Sequence, residues 1–244
     1  MFHIFRKKKF LVDYLGGFVD IHNHILPGID DGAKTVEESL QLLHSFSELG
    51  ITNFIATPHI MDHYYPNTAQ TIQQSLTRLQ NELHKLQVPI SIEAAAEHMI
   101  DANFEHLLER QEVMPIKKRY LLIEMSYLQA SLNFSDAVQK ISTAQYFPIF
   151  AHPERYQYLH HTAKYEAYKN NGLLFQLNVL SLGNYYGSEV TKVAHQLLDT
   201  NLIDFVGTDV HNLKQLEALK NIKLSAGLVK KIVPILEKTN YNFG

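Results

Sequence analysis

The chain has 244 residues, 45% of them hydrophobic and 19% charged, with a formal net charge of −3 when the histidines are neutral. That length holds one large α/β domain or two small ones, and so mild a charge gives no basic footprint for nucleic acid as the main partner. There is no cysteine, which excludes disulfides, thiolate metal sites and a cysteine nucleophile, so any metal must be held by nitrogen and oxygen.

Taken in order, the start MFHIFRKKKFLVDYLGG carries a basic cluster, Arg6 to Lys9, before a short apolar stretch interrupted by Asp13. Residues 1–17 therefore read as a basic extension and not a signal peptide, ahead of a single domain over 18–244. No apolar run approaches the ~20 residues of a membrane span, so a cytoplasmic protein is expected. From residue 18 onward, apolar β-rich runs alternate with segments of helical period, the pattern of βα units around a parallel sheet. The candidate strands are FVDIH (18–22), NFIATPH (53–59), PISIEAAAE (89–97), YLLIEMS (120–126), FPIFAH (147–152), LLFQLNV (173–179) and DFVGTDV (204–210). Between the first two, TVEESLQLLHSFSELG has Thr35 and Glu38 as a capping box, Leu40, Leu43 and Phe46 as an apolar stripe, and Gly50 as its stop. A second helix, from about Asn67 to Gln87, repeats Ile72, Leu76, Leu79 and Leu83 at three- and four-residue steps, a core-facing stripe. A closed or partly closed α/β barrel is the economical architecture, since parallel strands with intervening helices have both faces to cover.

Six of the seven candidate strands finish in a metal-competent side chain: His22 with His24, then His59, Glu97, Glu124, His152, and Asp209 with His211. In parallel α/β folds ligands gather at the carboxyl edge of the strands, so residues spread along the chain converge there. His22 and His24 project to one side of a strand because side chains alternate, and a carboxylate such as Glu97 or Glu124 can bridge two ions. Singly, each has a plainer reading. The histidine pair could be exposed strand residues, Asp30 and Asp31 turn chemistry beside Gly28 and Gly32, the glutamates exposed strand ends, and His59 and His152 strand caps beside prolines. Jointly they point to one shared metal site. His63 and His98 fall near it, within reach of a substrate, and the other histidines, including His44, His84, His160, His161 and His195, have no role.

The blocks VDIHNHILPGIDDGAKTVEES, ATPH, AAAEHM, LLIEMS, AHPERY and GTDVHN resemble the successive motifs of the PHP (polymerase and histidinol phosphatase) superfamily. They look most like its bacterial manganese-dependent protein-tyrosine phosphatases of capsular and exopolysaccharide synthesis, the CpsB and YwqE type. The resemblance implies a distorted seven-stranded (β/α) barrel with three divalent ions, manganese first, with Fe, Zn or Mg as alternatives. It implies His22, His24, Glu97 and Asp209 around one ion, Glu97, Glu124 and His152 around a second, and Asp31, His59 and His211 around the third. Arg155, in HPERY, matches the family arginine that contacts substrate phosphate. The implied reaction is metal-assisted hydrolysis of phosphotyrosine, without a phosphoenzyme, on the tyrosine-rich tail of a bacterial tyrosine kinase. Family members commonly carry a second arginine shortly after the DxHN motif, whereas this chain reads DVHNLKQLEALK. Lys214 is the substitute at hand there, a point charge in place of a planar fork. Tyr64, Tyr65, Tyr185 and Tyr186 follow strand ends within reach of a phosphotyrosine ring, although packing accounts for each more simply. The rivals are a small-molecule phosphatase of the histidinol-phosphate type, a nucleic-acid phosphodiesterase disfavoured by the charge, and a non-catalytic metal-stabilised module that binds and regulates the kinase. A homo-oligomer is compatible with the sequence, which carries no feature demanding one.

Overall fold

The seven tracts expected to be extended all contain strand, but in nine segments. The structure is a computed structural model that describes residues 10–160 and 163–244. Its order is β1 (Val19–Asp20), α1 (Val36–Ser47), β2 (Asn53–Ala56), β3 (His59–Ile60), α2 (Ala69–Lys85), β4 (Ser91–Ala94), β5 (Glu97–Met99), α3 (Phe104–Glu109) and β6 (Tyr120–Glu124). There follow α4 (Phe134–Thr143), β7 (Phe147–Ala151), α5 (Lys164–Asn170), β8 (Leu174–Asn178), α6 (Ser188–Asp199), β9 (Phe205–Gly207), α7 (Leu213–Lys220) and α8 (Ala226–Phe243).

The second and third tracts each split in two, because Pro58 has no N–H to give a ladder. Strands β1-β2-β4 form one sheet and β3-β5-β6-β7-β8-β9 the other, with every pair parallel. Hydrogen bonds from Ala95 N to Ala56 O (2.8 Å) and from Glu97 N to Pro58 O (3.1 Å) carry the pairing across the break. At the far edge, Asp209 N donates to His22 O (2.7 Å) and His24 N to Val210 O (3.1 Å), so the last tract meets the first. Buried Asp20 fastens the same seam, accepting from Thr208 N at 3.0 Å and Thr208 Oγ1 at 2.6 Å. Gly207 is required there, since a Cβ would lie 2.6 Å from that of His22. The result is an α/β fold with a curled parallel sheet of the (β/α)-barrel kind.

Val19, Ile21, Ile55, Leu122, Ile149 and Phe205 fill the inside of the curl. Phe243 of α8 plugs the mouth at the strands' amino ends, its ring 5.0 Å from Tyr120 and 4.9 Å from Phe205. A larger apolar layer, including Leu43, Phe46, Phe54, Leu79 and Val206, lies between sheet and helices. One mouth is thus sealed by hydrocarbon, which leaves polar side chains to gather at the other.

Two helix details differ from expectation. Thr35 Oγ1 does cap α1 through Glu38 N, but Glu38 Oε2 reaches back to Lys34 N at 2.7 Å and not to the capping residue itself. Leu42, not Leu40, joins Leu43 and Phe46 in the buried stripe, whereas the α2 stripe is buried as read. The expected extension also ends earlier than residue 17. Residues 11–14 form a 3₁₀ turn, Leu11 and Leu15 are 0% exposed, and Leu11 N donates to Ile222 O at 2.8 Å. Residue 18 is therefore not a packing boundary, and the Arg6–Lys9 cluster lies outside the described residues. Among those residues, no helix is long and apolar enough to cross a membrane.

Candidate metal centre

The side chains at the carboxyl ends of the strands converge at the open mouth, most of them fully buried. His22 Nε2 lies 3.2 Å from Glu97 Oε2 and 3.4 Å from Asp209 Oδ1. His24 Nε2 lies 3.3 Å from the same Asp209 oxygen and 3.6 Å from Glu97 Oε2. His59 turns Nδ1 toward Glu124 Oε1 (2.9 Å) and Glu97 Oε2 (3.1 Å), and Nε2 toward Asp31 Oδ1 (3.4 Å). His211 Nε2 is also 3.4 Å from Asp31 Oδ1, and His152 Nε2 is 3.1 Å from Glu97 Oε1. Nitrogen and oxygen atoms close enough to share an ion form the groups His22–His24–Asp209, His24–Asp31–His59–His211, His59–Glu97–Glu124 and His22–Glu97–His152. Glu97 is central, but His152 pairs with His22 where Glu124 was expected, and Glu124 pairs with His59.

The donor set fits divalent cations. Despite their closeness, His22 Nε2, His24 Nε2, His59 Nδ1, Glu97 Oε2 and Glu124 Oε1 are buried without a well-directed hydrogen bond, a costly state unless a cation shared between them satisfies their lone pairs. Behind them, outer partners orient the imidazoles. His22 Nδ1 meets Gln176 Oε1 (2.7 Å), His24 Nδ1 meets Asp30 Oδ2 (2.8 Å) and His211 Nδ1 meets the Asp209 carbonyl (2.9 Å). Each bond turns Nε2 into the cluster, the arrangement that tunes metal-bound histidine. Asp30 also accepts from Gly32 N at 2.9 Å and His59 N at 3.2 Å. Gly32 is needed for this loop to fold back, because a Cβ would fall 2.0 Å from His24 O. His152 and Asp209 hold left-handed backbone, with φ of 35° and 52°, a strain that concentrates at functional sites.

Burial pulls the imidazoles of His22, His24 and His59 down, yet the facing carboxylates more than offset it, raising His24 to about 10 through Asp30 and raising His22 and His59 through Glu97 and its neighbours. Burial likewise pushes Glu97 and Asp209 up, but His22 and the other imidazoles around them hold both carboxyls well below their ordinary range. The same carboxylates that favour a proton on these imidazoles would favour a cation, and binding one would release protons.

Arg155 is held between the rings of Tyr127 (4.6 Å) and Tyr186 (4.1 Å), with Nη1 donating to Asp209 Oδ2 at 2.7 Å. Asn178 Nδ2 bonds the same oxygen at 2.7 Å. Buried Glu154 accepts from Asn178 N (3.0 Å) and Ser181 Oγ (2.7 Å), and burial pushes its carboxyl up to about 7. Arg155 lines a polar cavity of about 250 Å³ with Asp31, His59, Tyr127, His152, Asp209, His211, Asn212 and Gln215.

Other expectations are corrected. Lys214 does not reach this cavity but lines a separate surface hollow beside Glu38 and Gln41. Gln215 stands at the cavity instead, its Oε1 accepting from His211 N at 2.6 Å. His98 is buried with both ring nitrogens bonded to backbone, at Leu122 O and Met114 N, and exposed His63 faces Asp62; neither lines the cavity. Tyr65 lies parallel to the His59 ring at 5.5 Å, and Tyr185 packs edge-on to Tyr186. Sequence reasoning missed Asp30, Gln176, Asn178, Glu154, Tyr127 and Gln215 as supports.

Residues 18–231 match the family described as capsular polysaccharide synthesis, CpsB/CapC. CapC of Staphylococcus aureus is 30% identical over 198 residues, 80% of this chain and 77% of its own. The tyrosine-protein phosphatase YwqE of Bacillus subtilis is 28% identical over 206 residues, covering 80% and 78%. Crystal structures of YwqE and of CpsB from Streptococcus pneumoniae, described as metal-dependent tyrosine phosphatases, include a chain that superposes with a TM-score of 0.79 at 26% identity, over 92% of this chain and 90% of that one. This chain therefore belongs to the CpsB/CapC family of capsular polysaccharide synthesis.

Proposed function

We propose that the protein is a metal-dependent phosphomonoester hydrolase, a protein-tyrosine phosphatase with a PHP-type barrel, acting in the cytoplasm on the phosphotyrosine tail of a bacterial tyrosine kinase of capsular or exopolysaccharide synthesis. The observation that carries this reading is the set of five buried nitrogen and oxygen atoms that converge around Glu97 without a well-directed hydrogen bond; the family relationship supplies the reaction class. Three cations, manganese first, would take His22, His24, Asp31, His59, Glu97, Glu124, His152, Asp209 and His211 as ligands. Bound there, they would supply neutralisation of phosphate charge and a water acidified toward hydroxide. Arg155, already charged and fixed by two rings and Asp209, orients a phosphate in the polar cavity and offsets charge that grows in the transition state. Gln215 presents a neutral amide to the same space, so the phosphate meets one fork and one weaker donor. A phenol with a pKa of about 10 departs without strong help from a general acid, and none of the cavity residues is needed for that role.

The test is hydrolysis of a phosphotyrosine peptide by metal-stripped protein before and after Mn²⁺ is added, with His59→Ala and Arg155→Ala as controls. Turnover restored by metal and abolished by both substitutions is the expected result. Faster hydrolysis of histidinol phosphate than of the peptide would sink the assignment in favour of a small-molecule phosphatase.

A further inference from the structure

A second cavity, about 460 Å³, opens from the same cluster, with Asp31, His59 and Glu124 at its inner wall, and its remaining lining has no role in the chemistry described above. It shares Asp31, His59 and Tyr127 with the polar cavity, so the cluster stands at the junction of two mouths. In character the two differ. Arg155, Asn212 and Gln215 make the first a place for an anion, whereas Met61, Met99, Ile100, Tyr65 and Leu128 line the second. Tyr64 and Leu128 stand at its edge with 77% and 91% of their surface exposed, and large apolar side chains displayed beside a cavity mark a binding surface.

In-line displacement at phosphorus places the leaving group opposite the attacking oxygen. With the phosphate directed to Arg155, an aromatic leaving group finds its apolar surroundings in the second cavity. The lining of that cavity includes Asp62 and Asp101 and holds no lysine or arginine among the described residues. Asp101 is fixed, accepting from Asp62 N at 2.7 Å and Asn103 N at 2.9 Å. A chain leaving the site this way passes carboxylates faced by no lysine or arginine among the described residues, with the exposed His63 imidazole beside Asp62, and like charges across an interface discriminate against the wrong partner.

We propose that this cleft takes the aromatic leaving group together with the chain beside it, and so selects phosphotyrosine peptides with apolar or uncharged neighbours over acidic ones. The proposal rests on the phosphatase reading above and adds its sequence preference. The experiment uses the full chain loaded with Mn²⁺ and two peptides of equal length, with Gln or with Glu on both sides of the phosphotyrosine, alongside p-nitrophenyl phosphate. At low salt the Gln peptide should have a kcat/KM about fivefold or more above the Glu peptide, and the gap should shrink in Asp62→Asn and at high salt. Joint replacement of Tyr64→Ala and Leu128→Ala should raise KM for the Gln peptide about tenfold with little change in kcat, and raise it less than about threefold for p-nitrophenyl phosphate. Equal use of the two peptides, or equal losses on peptide and small substrate, overturns the cleft assignment while leaving the phosphatase intact. A wild-type protein that hydrolyses none of the three overturns the functional reading, and the cleft with it.

Discussion

Asp30→Asn asks whether a residue behind the cluster matters as much as those in it. Asp30 is 6% exposed and accepts three hydrogen bonds, from His24 Nδ1 at 2.8 Å, Gly32 N at 2.9 Å and His59 N at 3.2 Å. Asparagine has the same shape but only one accepting oxygen, its other terminal atom being a donor. With that oxygen toward His24, the amide nitrogen confronts the Gly32 N–H. Turned round, the amide forces a lone pair onto His24 Nδ1 and a proton onto Nε2, the atom that faces Glu97 and Asp209. Loss of such an outer partner typically weakens metal binding 10- to 100-fold, about 1.4–2.7 kcal/mol. With metal in excess the same amount disappears from the stabilisation that binding confers on the fold, or roughly 3–10 °C of the metal-induced rise in Tm. Calorimetric titration of metal-stripped protein with Mn²⁺, paired with thermal unfolding with and without the ion, measures both. A folded variant whose isotherm and Tm rise match the wild type would refute the reasoning.

Arg155→Lys keeps the charge but loses the fork held between Tyr127 and Tyr186, so KM for a phosphotyrosine peptide, measured at saturating Mn²⁺, should rise about tenfold; an unaltered KM would count against phosphate binding by this side chain. His98 is fully buried, and burial lowers its pKa from 6.5 to about 4. The unfolded chain therefore binds more protons between those values, and stability falls as pH drops from 6.5 toward 4, by on the order of 3 kcal/mol. Urea melts at pH 7 and pH 5 should show about 2 kcal/mol of that loss, and His98→Gln should flatten it; an identical slope in the variant would assign the acid limb elsewhere. Deletion of residues 1–12 removes Leu11, which is 0% exposed, and should cost at least about 2 kcal/mol in urea denaturation, whereas an unchanged midpoint would mean the turn adds nothing.

The ligand-type residues were legible because each depends on two local features, a β-rich run and a coordinating side chain at its end. That information places His22, His59, Glu97, Glu124, His152 and Asp209 at one mouth without knowledge of the pairing. It does not say which residues meet. His59 reaches Glu124 and His152 does not, because the break at Pro58 displaces β3 from β2 and swings the His59 ring across Glu97. Gln176 sits inside the ordinary-looking LLFQLNV. A polar side chain in a run that apolar must have a partner, and that signal was there to be used; its identity, His22, is a matter of tertiary pairing. Lys214 and Gln215 differ by one position, yet a step along a helix turns the side chain by about 100°. The phase of α7 is set by Asn212, whose Oδ1 accepts from Gln215 N at 3.1 Å, and no periodicity argument supplied it.

The seam where the last strand tract meets the first has a temporal consequence. His22 and His24 leave the ribosome more than 180 residues before Asp209 and His211, yet these four side chains face one another across that seam. Until Asp209 and His211 have emerged, the chain has no full donor set to offer, so cation loading would have to follow the meeting of the first and last strand tracts. Bound there, cations would act as a clasp on the join between the two ends of the sheet, and metal-stripped protein should begin amide exchange at residues 22–24 and 208–211 before the strands opposite.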